Sequence, residues 1–282
     1  MILFIILDSS AQNLKMKEQK ISIRNNSVEI SYYKKGKGNK TLLFLHGWCI
    51  NKTYWNNQIN YFFKNYNSVA IDIPGFGKST AKRNVWTIQE YAKDINSFIE
   101  SLSLKNVNVV GHSMSGAIMI ELALLNNPRI VGLIGIDNFK LLDVKYTPEQ
   151  RKQMANFFPI LKNNFKIAAP NYADLTLFAP STPAEIKNRV ITDIVNSNAQ
   201  TAYETLINYL GYTEKEAQVL ENLDFRLNLI NCDYFPTYEN GLRNHCKKKG
   251  YNIKMINGSG HYPMIEKPED FNKILDELLL ES

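Results

Sequence analysis

Gly111-His112-Ser113-Met114-Ser115-Gly116 joins a short apolar run, residues 107–110, to a helical pattern opening at Met114, and the reading of this junction decides the fold. A serine on a tight strand-to-helix turn takes a strained backbone conformation, so the residues two before and two after it must be small for strand and helix to approach. Gly111 and Ser115 meet that need. The strict pattern G-x-S-x-G has a glycine where this chain has Ser115, which stays small and adds a hydroxyl near Ser113. A pentapeptide of this kind arises by chance in many chains, and its weight rests on its surroundings.

Residues 41–46 (TLLFLH) form an apolar run ending in His46-Gly47-Trp48, and residues 68–73 (SVAIDI) form another ending in Pro74-Gly75-Phe76-Gly77. Each reads as a buried strand closing on a glycine-rich turn. Between them residues 55–66 have helical spacing, and Thr87 with Glu90 three residues on predicts a capping box that opens a longer helix. Three further strand candidates follow at 130–137 (IVGLIGID), 225–233 (FRLNLINCD) and 252–256 (NIKMI), and residues 267–280 supply a closing amphipathic helix. Continuous apolar strands separated by helices predict a parallel sheet covered on both faces. At the front, residues 20–25 and 28–35 alternate apolar and polar side chains and predict an antiparallel pair at the sheet edge.

Four motifs thus stand in order: His46-Gly47-Trp48, Asp72-x-Pro74-Gly75-Phe76-Gly77-x-Ser79, the 111–116 junction and Gly258-x-Gly260-His261. Together they resemble the successive signatures of the α/β-hydrolase fold, in its small serine-hydrolase group of esterases and haloperoxidase-like proteins, from about residue 20 onward. The resemblance implies an α/β architecture with a mostly parallel eight-stranded sheet, helices on both faces and a serine nucleophile at the junction. It also implies an oxyanion hole made by two backbone N–H groups, one from Met114 after the nucleophile and one from Trp48 after His-Gly. Asp72 is read as the anchor of the Pro-Gly turn rather than as a catalytic group. A dehalogenase or epoxide hydrolase would need an aspartate at the nucleophile position, which Ser113 fills.

Serine is a poor nucleophile unless a base sits beside it and a carboxylate holds that base in the right tautomer. The chain has four histidines. His46 and His112 precede the turn glycine and Ser113 and are read as packing around those turns; His245, in the lysine-rich stretch 244–249, is read as solvated. His261, on a glycine-flanked loop between a strand and the last helix, is the expected base. For the acid the order Ser, acid, His points to Asp233, at the end of the 225–233 run and resembling the usual position; Asp137, at the end of the 130–137 run, is the alternative.

From about 139 to 212 the strand-helix rhythm breaks, with Pro148, Pro159, Pro170, Pro180 and Pro183 among helical stretches. That reads as a helical cap over the C-terminal edge of the sheet, where ligands bind in open α/β folds. Phe76, together with Phe157 and Phe178 of the cap, is an expected pocket residue, and Trp48 is another. One domain from 16 to 282, with the cap inserted, accounts for the length.

At 282 residues and 44% hydrophobic content the chain can bury a sizeable core. Its net charge of +6 is spread along the sequence, and Lys247-Lys248-Lys249 is the only tight basic run, which argues against nucleic-acid binding. Three cysteines, Cys49, Cys232 and Cys246, make no disulfide framework or zinc-ligand pattern, so no metal and no cofactor are expected. Residues 2–7 form an apolar run that reads either as a truncated secretory signal or as the result of a start upstream of Met16. Location therefore stays open, and no run is long enough for a stable membrane span. The expected function is cleavage of a small ester, thioester or lactone through an acyl-enzyme on Ser113, and the alternative is a ligand receptor on the same fold with slow or no turnover. The partner is a small-molecule acyl substrate, and the oligomeric state is left open.

Overall fold

The computed structural model describes residues 16–281; the 1–15 segment, read above as a signal or an upstream start, lies outside them. Two strands lead, β1 (Glu18–Ile23) and β2 (Val28–Lys35), and pair antiparallel as the alternating pattern predicts. They are followed by β3 (Thr41–Leu45), α1 (Asn56–Phe62), β4 (Asn67–Ile71), a two-residue strand β5 (Thr80–Ala81), α2 (Ile88–Ser101), β6 (Val107–His112) and α3 (Ser115–Ala123). Next come β7 (Ile130–Ile136) and four helices, α4 (Pro148–Asn163), α5 (Phe165–Thr176), α6 (Ala184–Asn196) and α7 (Ala199–Glu221). The chain closes with β8 (Leu227–Cys232), α8 (Glu239–His245), β9 (Tyr251–Ile256), α9 (Pro263–Glu266) and α10 (Pro268–Leu280).

The strands order as β1-β2-β4-β3-β6-β7-β8-β9, with β5 attached to β2. From β4 to β9 every neighbour is parallel. This is the mostly parallel eight-stranded path implied by the resemblance, plus a small ninth strand. Every residue of β3, β4 and β6 is buried, because helices cover both faces of the central strands. The chain first moves from β3 to β4 on one side and then returns to β6 on the other. The C-terminal ends of β3 and β6 therefore flank the point where strand order reverses, the usual place for a ligand crevice in such sheets.

Local chemistry accounts for the helices that frame this crevice. Thr87 caps α2 through its hydroxyl, which accepts from the Glu90 backbone at 3.3 Å. The Glu90 carboxylate does not return to the cap as a full capping box requires; it pairs with Arg24 and Lys93 instead. On α2, Ile88, Tyr91, Ala92, Ile95, Phe98 and Ile99 fall on one helical stripe and are buried. The central helix α3 buries Ser115, Gly116, Ala117, Ile118, Met119 and Ile120 in succession, as its lack of a polar face dictates.

Between β7 and β8 the chain is helical, where the rhythm of the sequence breaks. It runs further than the expected limit at 212, because α7 continues through Gly211 to Glu221. No helix among the described residues is long and apolar enough to cross a membrane.

Candidate functional site

Ser113 follows β6 directly and has φ +54, the left-handed strain expected of the junction. Its backbone is fixed on both sides: its N–H donates to the Ile136 carbonyl at 2.9 Å, and its carbonyl accepts from Gly116 N–H at 2.8 Å. Gly111 is small for the anticipated reason, since a Cβ there would lie 2.6 Å from the Ser115 carbonyl oxygen. Ser115, where the strict pattern has glycine, uses its hydroxyl to donate to the His46 carbonyl at 2.5 Å. That bond ties the serine turn to the end of β3.

The loop after β3 brings Trp48 to the same place. Trp48, Ser113, Met114 and His261 all line one cavity of about 50 Å³. Among the described residues, no turn or loop hydrogen bond is donated by the backbone N–H of Trp48 or of Met114. The Trp48 side chain is engaged elsewhere: its indole N–H donates to the Ala202 carbonyl of α7 at 2.8 Å, and its ring meets Phe165 edge-on.

His261 is held at every backbone polar group. Its N–H donates to the Leu177 carbonyl at 2.9 Å, and its carbonyl accepts from His112 Nε2 at 2.7 Å. On either side of it, Gly260 and Tyr262 donate their N–H groups to the Glu266 carboxylate, which also takes the Thr182 hydroxyl. The loop is thereby bonded both to its own following helix and to the segment after α5. Because His112 donates from Nε2, its Nδ1 carries no proton, and that buried nitrogen has no partner. Burial drives the His112 imidazole well below its ordinary range and keeps it neutral.

The carboxylate bonded to His261 is Asp137, the alternative acid, while the preferred Asp233 stands elsewhere. Asp137 Oδ2 lies 2.6 Å from His261 Nδ1 and takes the Tyr234 hydroxyl at 3.1 Å, while Oδ1 takes the Cys232 N–H at 2.9 Å. Lys140 Nζ stands 2.5 Å from the same Oδ1. Burial by itself would raise this carboxyl; the bonds from His261 and Lys140 outweigh it and hold Asp137 at about 2. Asp233, one residue beyond β8, is exposed and accepts from Gly258 N–H at 2.8 Å. What the end of β8 contributes is the backbone N–H of Cys232, which faces Asp137; the next side chain turns outward to fasten the Gly258 turn.

The remaining motif residues divide as follows. Asp72 anchors its turn, accepting from Lys52 Nζ at 2.7 Å and from the N–H groups of Lys52 and Lys78. His46 Nδ1–H donates to the Gly47 carbonyl and Nε2 accepts from Ile73 N–H; burial brings this imidazole down to about 4 despite the nearby Asp72. His245, read as solvated, instead bridges Asp143 and Glu221.

Three expected pocket aromatics do not line the cavity. Phe76 packs edge-on against His46, while Phe157 meets Tyr172 and Phe178 meets Tyr262 with tilted rings. The walls are Tyr172, Leu177, Leu206, Tyr209 and Tyr262. Tyr172 lies on α5, within the stretch 139–212 read as the helical cap. Leu206 and Tyr209 were legible only as part of an α7 stripe with Ala202, spaced i, i+4 and i+7. Lys140, Tyr234 and Glu266 gave no signal, since nothing local in the sequence points them at the site.

Known proteins share this fold. A family model described as alpha/beta hydrolase fold matches residues 40–181. The pimeloyl-[acyl-carrier protein] methyl ester esterase of Wigglesworthia glossinidia brevipalpis is 27% identical over 241 residues, 84% of this chain and 83% of that one. The thermophilic esterase of Thermogutta terrifontis superposes with a TM-score of 0.79 at 19% identity, covering 94% of this chain and 98% of the esterase. The bromoperoxidase of Bacillus anthracis gives a TM-score of 0.79 at 20% identity over 94% of this chain and 100% of its own. At such identities the two structures speak for the fold alone. With the family match spanning half of its length and esterases and hydrolases among its relatives, this chain belongs to the α/β-hydrolase fold family and is a hydrolase.

Proposed function

We propose that the protein is a serine hydrolase that cleaves a small ester, thioester or lactone through an acyl-enzyme on Ser113. The observation that carries this reading is the strained Ser113 sharing a cavity with His261, whose Nδ1 faces the buried carboxylate of Asp137.

In this reading His261 Nδ1–H donates to Asp137, leaving the Nε2 lone pair to act on the serine proton. Ser113 Oγ attacks the acyl carbonyl as its proton passes to Nε2. The oxyanion that develops is met by the N–H groups of Trp48 and Met114. The tetrahedral intermediate collapses, His261 returns the proton to the departing alcohol or thiol, and the acyl group stays on Ser113. Water then repeats the sequence and regenerates the serine.

Helices α4 to α7 serve as the cap. Two of its contacts support that role: Trp48 is bonded to α7, and Tyr172, Leu206 and Tyr209 close the cavity from above. A cavity of about 50 Å³ with mostly apolar walls suits a short acyl group. Larger substrates would require the cap to move.

A panel of chromogenic esters of increasing acyl length, read beside covalent labelling by a fluorophosphonate, tests the reading. Turnover of the short esters with the label on Ser113 is expected. Labelling at another residue, or binding of acyl compounds with no turnover of any ester, would defeat it, and the second result would favour a receptor.

A further inference from the structure

Lys140 lies three residues beyond Asp137, on a turn made by two left-handed residues, Asp137 at φ +51 and Phe139 at φ +53. The turn folds the lysine back over the carboxylate. Its ammonium has three protons and three oxygen partners: Asp137 Oδ1 at 2.5 Å, the Cys232 carbonyl at 2.8 Å and the Phe235 carbonyl at 3.2 Å. The Tyr234 ring covers it, with the centroid 4.4 Å from Nζ. The side chain is only 8% exposed. A buried ion pair gives little net stability compared with a well-packed apolar side chain, so stability alone is a weak reason for a lysine here.

Resting on the reading of Ser113, His261 and Asp137 above, we propose that Lys140 is a positioning residue for the acid–base pair. It locks Oδ1 so that Oδ2 is presented to the imidazole, and its positive charge opposes the carboxylate's hold on an imidazolium proton.

The sign follows from the charges that face the imidazole. Asp137 favours imidazolium; a cation on the same carboxylate opposes that effect. The other groups around the ring are uncharged across the working range. Burial pushes Tyr172, Tyr209, Tyr234, Tyr262 and Cys232 up and pushes His112 down. The Glu266 carboxylate spends its bonds on the backbone of Gly260 and Tyr262 and on Thr182, not on the imidazole. Removing the Lys140 charge should therefore move the acid limb of reactivity to higher pH. A lysine that merely stapled the loop after β7 to the end of β8 would, when lost, lower stability and leave the limb in place.

The experiment measures the rate of fluorophosphonate inactivation against pH for the wild type, Lys140→Met and Lys140→Arg, with the labelled residue located by mass spectrometry. Lys140→Met should raise the acid limb by about one pH unit, so that inactivation below the limb is about ten-fold slower. Lys140→Arg, which keeps the charge, should stay near the wild-type limb. Should Lys140→Met fail to fold, Lys140→Gln is read the same way, because its amide can still donate to a backbone carbonyl. Labelling at Ser113 with an unmoved limb in the neutral variant would overturn the role of Lys140 alone. Absence of the label from Ser113 in the wild type would overturn the underlying reading as well.

Discussion

Single side chains carry the sharpest expectations. Ser113→Ala should lower ester turnover by roughly a million-fold if the three groups act as a unit, with circular dichroism unchanged because alanine fits the same turn. The acids separate more informatively. Asp137→Asn leaves a neutral amide beside His261 and can hold the imidazole in the wrong tautomer, for a loss of about ten-thousand-fold in kcat. Asp233→Asn removes an exposed charge but keeps an amide oxygen that can accept from Gly258 N–H, and should change kcat by less than about ten-fold. Steady-state kinetics on both variants decide the matter, and a reversed order would mean that the carboxylate bonded to His261 is not the one that works. The two aspartates look alike in the sequence: each ends an apolar run. Their difference lies in φ and in neighbours. Asp137 turns inward at φ +51 to meet Cys232 N–H and Lys140, contacts between segments about a hundred residues apart or across a sharp turn, which no local pattern encodes.

Elements determine what the site admits. Helix α7 lays Ala202, Leu206 and Tyr209 along one stripe, the first bonded to Trp48 and the other two facing the cavity. Leu206→Ala should enlarge the acyl site and shift preference toward longer chains, with each added methylene worth about 1 to 3 kcal/mol of discrimination. Reactivity toward the shortest activated ester should hardly move, because the sheet-borne groups are untouched. Comparison of kcat/KM over an acyl-length series checks this, and an unchanged profile would count against α7 as a wall. Phe157→Ala and Phe178→Ala, by contrast, should alter the profile little, since both rings pack behind the lining. The helical pattern was legible from its prolines and spacing. The face that each helix turns to the cavity was not, because an amphipathic stripe shows only that a side is buried and leaves open what it is buried against.

Over the whole molecule, buried ionisable groups shape the response to pH. Glu216 on α7 is buried, and desolvation raises its carboxyl from 4.5 to about 8. A folded pKa above the unfolded one means that the native state holds the proton longer, so stability is fully present below about 4.5 and declines as pH rises toward 8. Glu216→Gln should therefore be nearly neutral at pH 4.5 and stabilising above pH 8, with a melting-temperature gain on the order of 5 °C. Thermal unfolding of both proteins across that range tests it; equal melting curves at alkaline pH would mean that Glu216 ionises freely in the fold. Chain order, apolar runs and turn glycines sufficed to specify the parallel sheet, the serine junction and the histidine loop, because those features arise from short-range periodicity and backbone sterics that consecutive residues carry. The identity of the carboxylate at His261, the cavity walls and the Lys140 contact were decided by tertiary structure. They depend on how strand ends, a left-handed turn and a distant helix converge, and such convergence comes from packing the whole sheet against its helices.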